Sequence, residues 1–171
     1  MEEIRPWPTQ VKQVCIVVHD LDTTIRRYHE TAGIGPWAVW TPHLTDMRIR
    51  GVEIPYSMKL ALAWTQDFMW EVVQPLEGPS IYKEFLAERG EGMHHILIET
   101  TGHRYEDLLE EARAKGCPPL MEGKWGETEF AYLDSQEPLR LYLEVFRRGP
   151  NFSARPEPDY YYPAAPSAMP T

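Results

Sequence analysis

GEGMHHILIET, residues 90–100, sets two histidines side by side where an apolar, β-branched run begins. Residues 93–100 read as a strand. A strand sends successive side chains to opposite faces. His94 therefore goes with Ile96 and Ile98, and His95 goes with Leu97 and Glu99. The two imidazoles cannot do the same work. What each does depends on what the rest of the chain sets beside this strand.

Working outward, SIYKEFLAERG (80–90) reads as a short helix ended by Gly90, and YEDLLEEARAKG (105–116) as an amphipathic helix with Leu108, Leu109 and Ala112 on one stripe. FAYLDS (130–135) and LRLYLEVFRR (139–148) read as strands. The same order occurs earlier. VKQVCIVV (11–18) is a strand, and the helix after it is capped by Asp20 or Asp22 and ended by Gly33. After GPW at Pro36 comes a polar loop, then the strands YSMKLALAW (56–64) and DFMWEVVQP (67–75). Gln13 and His95 hold matching places 82 residues apart, and Gly33 and Gly116 lie 83 apart. Such self-similarity constrains architecture more than a single motif does. It predicts an α+β fold of two related modules, about 11–76 and about 92–148, joined by the helix at 80–90. Residues 1–10 form an N-terminal arm. The proline-rich tail, 149–171, reads as an extended or partly disordered arm, or as one packed over the cleft or a partner subunit.

The 171 residues suit one domain of ordinary size, and an apolar content of 43% suits a globular one. A net charge of −9 argues against nucleic acid. No apolar run is long enough to span a bilayer. MEEIRPWPTQ carries no apolar leader core, so a cytoplasmic protein is expected. Cys15 and Cys117 lie far apart and predict no disulfide framework.

Alternation sorts the polar residues. Val14, Ile16 and Val18 share one face of the first strand, and Leu141, Leu143 and Val145 share one face of the last. These all-apolar faces suit packing on a helix. The opposite faces each carry a strong polar group among apolar ones: Gln13 and Glu71 in the first module, His95 and Glu144 in the second. A carboxylate inside an apolar strand is kept when paired, hydrogen-bonded or bound to a cation. An imidazole, two carboxylates and an amide oxygen make a nitrogen–oxygen set suited to Mn, Co, Ni, Fe or Mg as divalent ions, with Zn also admitted. His94, on the other face, is expected to be structural.

QVCIVVHDLDTTIRRY, WEVVQPLEGPSIYKEFLAERGEGMHHILIET and YLEVF cover most of residues 11–148 in one order. In this the chain resembles the vicinal oxygen chelate superfamily of glyoxalases, bleomycin-resistance proteins and dioxygenases, and most of all its methylmalonyl-CoA epimerase-like branch. The resemblance implies two βαβββ modules whose mixed sheet curls around a central cleft, with a divalent metal held by Gln13, Glu71, His95 and Glu144. Residue 13 departs from the pattern, since glutamine stands where the family usually has histidine.

The chemistry implied is a metal-dependent isomerase or lyase that stabilises an enolate of a carbonyl-containing small molecule. Glu144 and Lys59 are the catalytic candidates. Lys59 stands on the strand where the epimerase branch carries a glutamate base, and it is read as facing the cleft with Ser57, Ala61 and Ala63. Trp37, His43, Trp64, Trp125 and Tyr142 are candidates for substrate contact, the aromatic residues suggesting a cyclic substrate. The alternative is a non-catalytic drug- or metabolite-binding protein of the bleomycin-resistance type. Open sheet edges, together with the family's habit, predict a homodimer.

Overall fold

The structure is a computed structural model that describes residues 9–66, 68–100 and 104–166. Most of the arm at 1–10, and the last residues of the tail, lie outside it. The first module runs β1 (Thr9–Val17), α1 (Leu21–Ala32), β2 (Trp37–Trp40), β3 (Leu44–Ile49), β4 (Val52–Glu53), β5 (Met58–Thr65) and β6 (Phe68–Pro75). Helix α2 (Ile81–Arg89) links it to the second module. That module comprises β7 (Gly92–Thr100), α3 (Tyr105–Ala114), β8 (Pro119–Trp125), β9 (Thr128–Leu133), the single turn α4 (Gln136–Leu139) and β10 (Tyr142–Arg148). The tail adds β11 (Tyr160–Tyr162). This is the α+β arrangement expected: one mixed sheet ordered β11-β2-β5-β6-β1-β7-β10-β9-β8-β3-β4. No helix among the described residues is long and apolar enough to cross a membrane.

Local chemistry sets the helix ends. Asp20 accepts from the Thr23 amide at 3.0 Å and caps α1. Gly33 ends that helix at φ 66°, in left-handed backbone that glycine adopts without penalty. Ser80 caps α2 in the same way. Leu21 and Ile25 of α1 pack on Val39, Ala61, Ala63 and Val72. Leu109 and Ala112 of α3 pack on Ile98, Ala131, Leu133 and Val145. These are the apolar faces that the alternation pattern marked for helices.

The opposite, concave face joins the modules in a third cluster. Met58, Leu60 and Leu62 of β5 meet Phe130 and Tyr132 of β9 there, and Tyr82 and Phe85 of α2 belong to the same cluster. At the middle of the sheet β1 pairs antiparallel with β7, while β6 and β10 flank them in parallel.

Residues 37–53 correct the expected polar loop. WAVW is a fully buried strand beside β5, and Leu44–Ile49 crosses to pair with β8 of the other module. A four-residue apolar run carries too little periodicity to be recognised, and β3 hides its pattern in an irregularity between Thr45 and Arg48. The crossing has a consequence for assembly. β3 covers the outer edge of β8, and β11 covers the outer edge of β2. The edges that remain are β11, of three residues, and β4, of two.

Candidate functional site

The four central strands deliver one polar side chain each. Gln13 comes from β1, Glu71 from β6, His95 from β7 and Glu144 from β10, and all four are buried. His95 Nε2 lies 3.1 Å from Glu71 Oε2 and 3.1 Å from Glu144 Oε2. The Gln13 Nε2 donates to Glu71 Oε2 at 2.7 Å. Gln13, Glu71 and Glu144 line a cavity of about 70 Å³ walled by Leu60, Leu62 and Phe130.

Cys15 belongs to the same group. In the sheet it stands opposite both Glu71 and His95, and the thiol, carboxylate and imidazole donor atoms lie within 4.8 Å of one another. The sequence reading put Cys15 on the face of Gln13 and gave it no role. The signal available was its spacing of two from Gln13.

The histidine pair departs from simple alternation. Cys15 pairs with His95 and Ile16 with Met93, which leaves His94 as the extra residue of a β-bulge. Its ring turns onto Tyr82 and Phe85 of α2, not onto α3, and its Nδ1 lies 2.9 Å from the Nδ1 of His95. Burial, and then the charge of His95, push the pKa of His94 well below its usual value. A neutral His94 accepts a proton-sharing bond from the Nδ1–H of His95, which leaves the Nε2 of His95 aimed at the carboxylates. So the first histidine orients the second.

Charges inside the site oppose one another. Burial alone would lower the pKa of His95. The Glu144 charge, with hydrogen bonds to Glu144 and Glu71, outweighs it and raises the pKa to about 9. Burial lifts Glu144 above the usual carboxylate value against the pull of His95, while the Tyr132 hydroxyl hydrogen-bonds to it. Tyr132 is itself hydrogen-bonded to Tyr82 at 2.6 Å between hydroxyl oxygens. Burial, then the Glu71 charge, raise the Cys15 thiol well above its usual value and keep it neutral.

This donor set fits a divalent cation. Two buried carboxylates share one imidazole, so even with that ring protonated the cluster keeps net negative charge, which a cation offsets. His95 Nε2, the two carboxylates and the Oε1 end of Gln13 are the oxygen and nitrogen donors that such an ion takes, and Cys15 adds a sulfur.

A family model described as the glyoxalase/bleomycin resistance protein/dioxygenase superfamily matches residues 12–132, which takes in nearly all of the first module and most of the second. The chain belongs to that superfamily. Solved structures share the fold at low identity. Methylmalonyl-CoA epimerase from Mycobacterium tuberculosis is 17% identical, with TM-score 0.59, over 82% of this chain and 88% of that one. A hypothetical protein from Bacillus halodurans is 16% identical, with TM-score 0.62, over 86% of this chain and 99% of that one. A methylmalonyl-CoA epimerase in complex with methylmalonyl-CoA and NH4+ is 21% identical, with TM-score 0.53, over 85% and 99%. No curated protein sequence matches the chain.

Within this superfamily fold the other expected site residues divide. Lys59 does not face the cleft. Its face of β5 is that of Ala61 and Ala63, which pack beneath α1, and its Nζ lies 2.6 Å from Asp22 Oδ2 on that helix. Met58, Leu60 and Leu62 face the cleft instead, so β5 offers no acid–base group there. Trp37 is likewise behind the sheet, buried against Tyr28 of α1, with its indole N–H bonded to Ile34 O at 2.9 Å. His43 is exposed outside the cavity. Tyr142 packs on His94, with ring centroids 4.7 Å apart, and does not line the cavity. Trp125 does line it; Trp64 does not, and stands beneath the guanidinium of Arg155, which does.

Proposed function

We propose that this superfamily member is a divalent-metal-dependent isomerase or lyase that moves a proton at the carbon next to a carbonyl group. The observation that supports it is the meeting of the buried Gln13, Glu71, His95 and Glu144, one from each central strand, beside a cavity that three of them line. These four residues would hold the ion, with Cys15 within reach. When bound, the ion supplies a Lewis acid for negative charge developing on the carbonyl oxygen.

The chain's own groups do the rest. Glu144 accepts the proton from carbon. The Tyr132 hydroxyl orients it. His94 holds the ring of His95. Leu60, Leu62 and Phe130 keep the cavity wall apolar. With Lys59 tied to α1, Glu144 is the remaining proton acceptor of the reading. Two structures that share the fold are epimerases, and proton transfer of this kind agrees with them.

The test is deuterium incorporation from D2O into a panel of small carbonyl compounds, with Mn²⁺-loaded and EDTA-treated protein side by side. Exchange is expected with the loaded protein and not with Glu144→Gln. A chain that takes up no divalent ion, or one that exchanges equally well without it, overturns the proposal.

A further inference from the structure

Beyond β10 the chain turns back over the open side of the cleft. The indole N–H of Trp40 donates to Pro156 O at 2.8 Å, and the Thr41 amide donates to Asp159 Oδ2 at 2.7 Å. The Asp159 amide donates to Val39 O at 2.8 Å, and β11 then joins β2. The segment is therefore pinned beside β2. It roofs a second cavity of about 650 Å³, with Trp40, Trp64, Phe152 and Tyr161 among its walls. That volume suits a small-molecule ligand, whereas 70 Å³ beside the four polar residues admits only a few atoms.

Arg148 and Arg155 line both cavities and so join them. The Arg155 guanidinium lies over the Trp64 ring at 5.5 Å and against Met69 Sδ at 3.9 Å. The Arg148 guanidinium lies over Phe152 at 4.6 Å and Phe146 at 5.4 Å. Among the described residues neither forms a salt bridge, although Arg50 and Arg147 on the same molecule do. The charges of Glu71 and Glu144 reach Arg155, but both carboxylates bond to His95. Two guanidiniums held by aromatic rings, with no carboxylate bonded to either among the described residues, form a receptor for an oxyanion.

We propose that the roofed cavity is the substrate chamber, and that Arg148 and Arg155 bind a carboxylate or phosphate on a ring-bearing substrate. The rings of Trp40, Trp64, Phe152 and Tyr161 take the planar body. The reacting carbonyl then reaches Gln13, Glu71, His95 and Glu144 through the shared wall. Where the carbonyl sits rests on the function proposed above. The anion site does not, because it needs no metal. Arg155 comes from the tail, outside both repeated modules, so the tail sets which charge the substrate must carry.

Calorimetric titration of the full-length chain, EDTA-treated and Mn²⁺-loaded, tests this with phenylacetate, phenyl phosphate and the neutral phenylacetamide. At least one anion is expected to bind about tenfold or more tightly than the amide in both forms, and the better anion names the oxyanion. Arg155→Gln should remove that preference and Arg155→Lys should restore part of it, with Mn²⁺ still bound by both. Equal binding of anions and amide by the wild type overturns the proposal, and so does a preference that survives in Arg155→Gln and in Arg148→Gln alike. An anion preference in a chain that binds no Mn²⁺ sinks the metal reading and leaves this one standing. Mn²⁺ uptake without an anion preference does the reverse.

Discussion

In the metal-free protein His95 is an imidazolium held between Glu71 and Glu144, and this makes stability depend on pH on the alkaline side. The folded-state pKa of about 9 lies above the ordinary 6.5. A raised pKa of this kind stabilises the fold fully below 6.5, and the contribution fades as pH climbs through 9. At 1.36 kcal/mol per unit, the displacement is worth about 3 kcal/mol, or about 6–12 °C in Tm for a chain of this length. Among the groups that raise it, the Glu144 charge comes first. Glu144→Gln keeps the side-chain volume and leaves Glu71 as the only carboxylate on the ring. The alkaline loss should then shrink by at least a third, and its midpoint should move towards neutrality. Urea unfolding in EDTA at intervals from pH 6 to 10 reads the loss, and NMR titration of the histidine rings reads the midpoint. A wild-type profile that is flat over that interval, or a variant with an unchanged profile, refutes the reading of His95 as a trapped imidazolium.

His95→Ala and Glu144→Gln should both lower bound Mn²⁺ stoichiometry, while Glu99→Gln, exposed at the far end of β7, leaves it intact. His94→Ala should keep the stoichiometry but weaken the affinity about 10- to 100-fold, as loss of an orienting partner does, and should lower Tm through the gap beside Tyr82 and Phe85. If His94→Ala abolishes binding and His95→Ala does not, the assignment of the pair is reversed. Lys59→Met breaks the ion pair with Asp22 and the contact over the Tyr160 ring, both at the surface, so unfolding free energy should change by about 1 kcal/mol at most and deuterium exchange should not fall. Deleting residues 149–171 bares the edge of β2, and light scattering at micromolar concentration should then show more self-association than the full-length chain does. Equal association of the two forms removes that role of the tail. The same measurement tests the homodimer.

What the sequence determined by itself was the repeat and its central strands. Gln13 and His95 recur at one spacing, and Val14, Ile16, Leu143 and Val145 alternate with polar partners. Strand periodicity forces such residues to separate by face whatever the strands pair with. That sufficed to bring Gln13, Glu71, His95 and Glu144 together. What periodicity cannot say is which face looks inward. Ser57, Lys59, Ala61 and Ala63 share a face, but the small alanines lie beneath α1, and the bulkier Met58, Leu60 and Leu62 fill the cleft. Only the docking of the helix decides that, and it carries Lys59 away from the site. The same holds for Trp37. The bulge at His94 is a matter of pairing with β1, which a single strand does not encode, and it turns two neighbouring imidazoles into a bonded pair. Residues 44–49 and the tail make their hydrogen bonds with strands distant in sequence, in the one case across the modules. Their positions, and with them Arg155 at the mouth of the site, exist only once the whole sheet has formed.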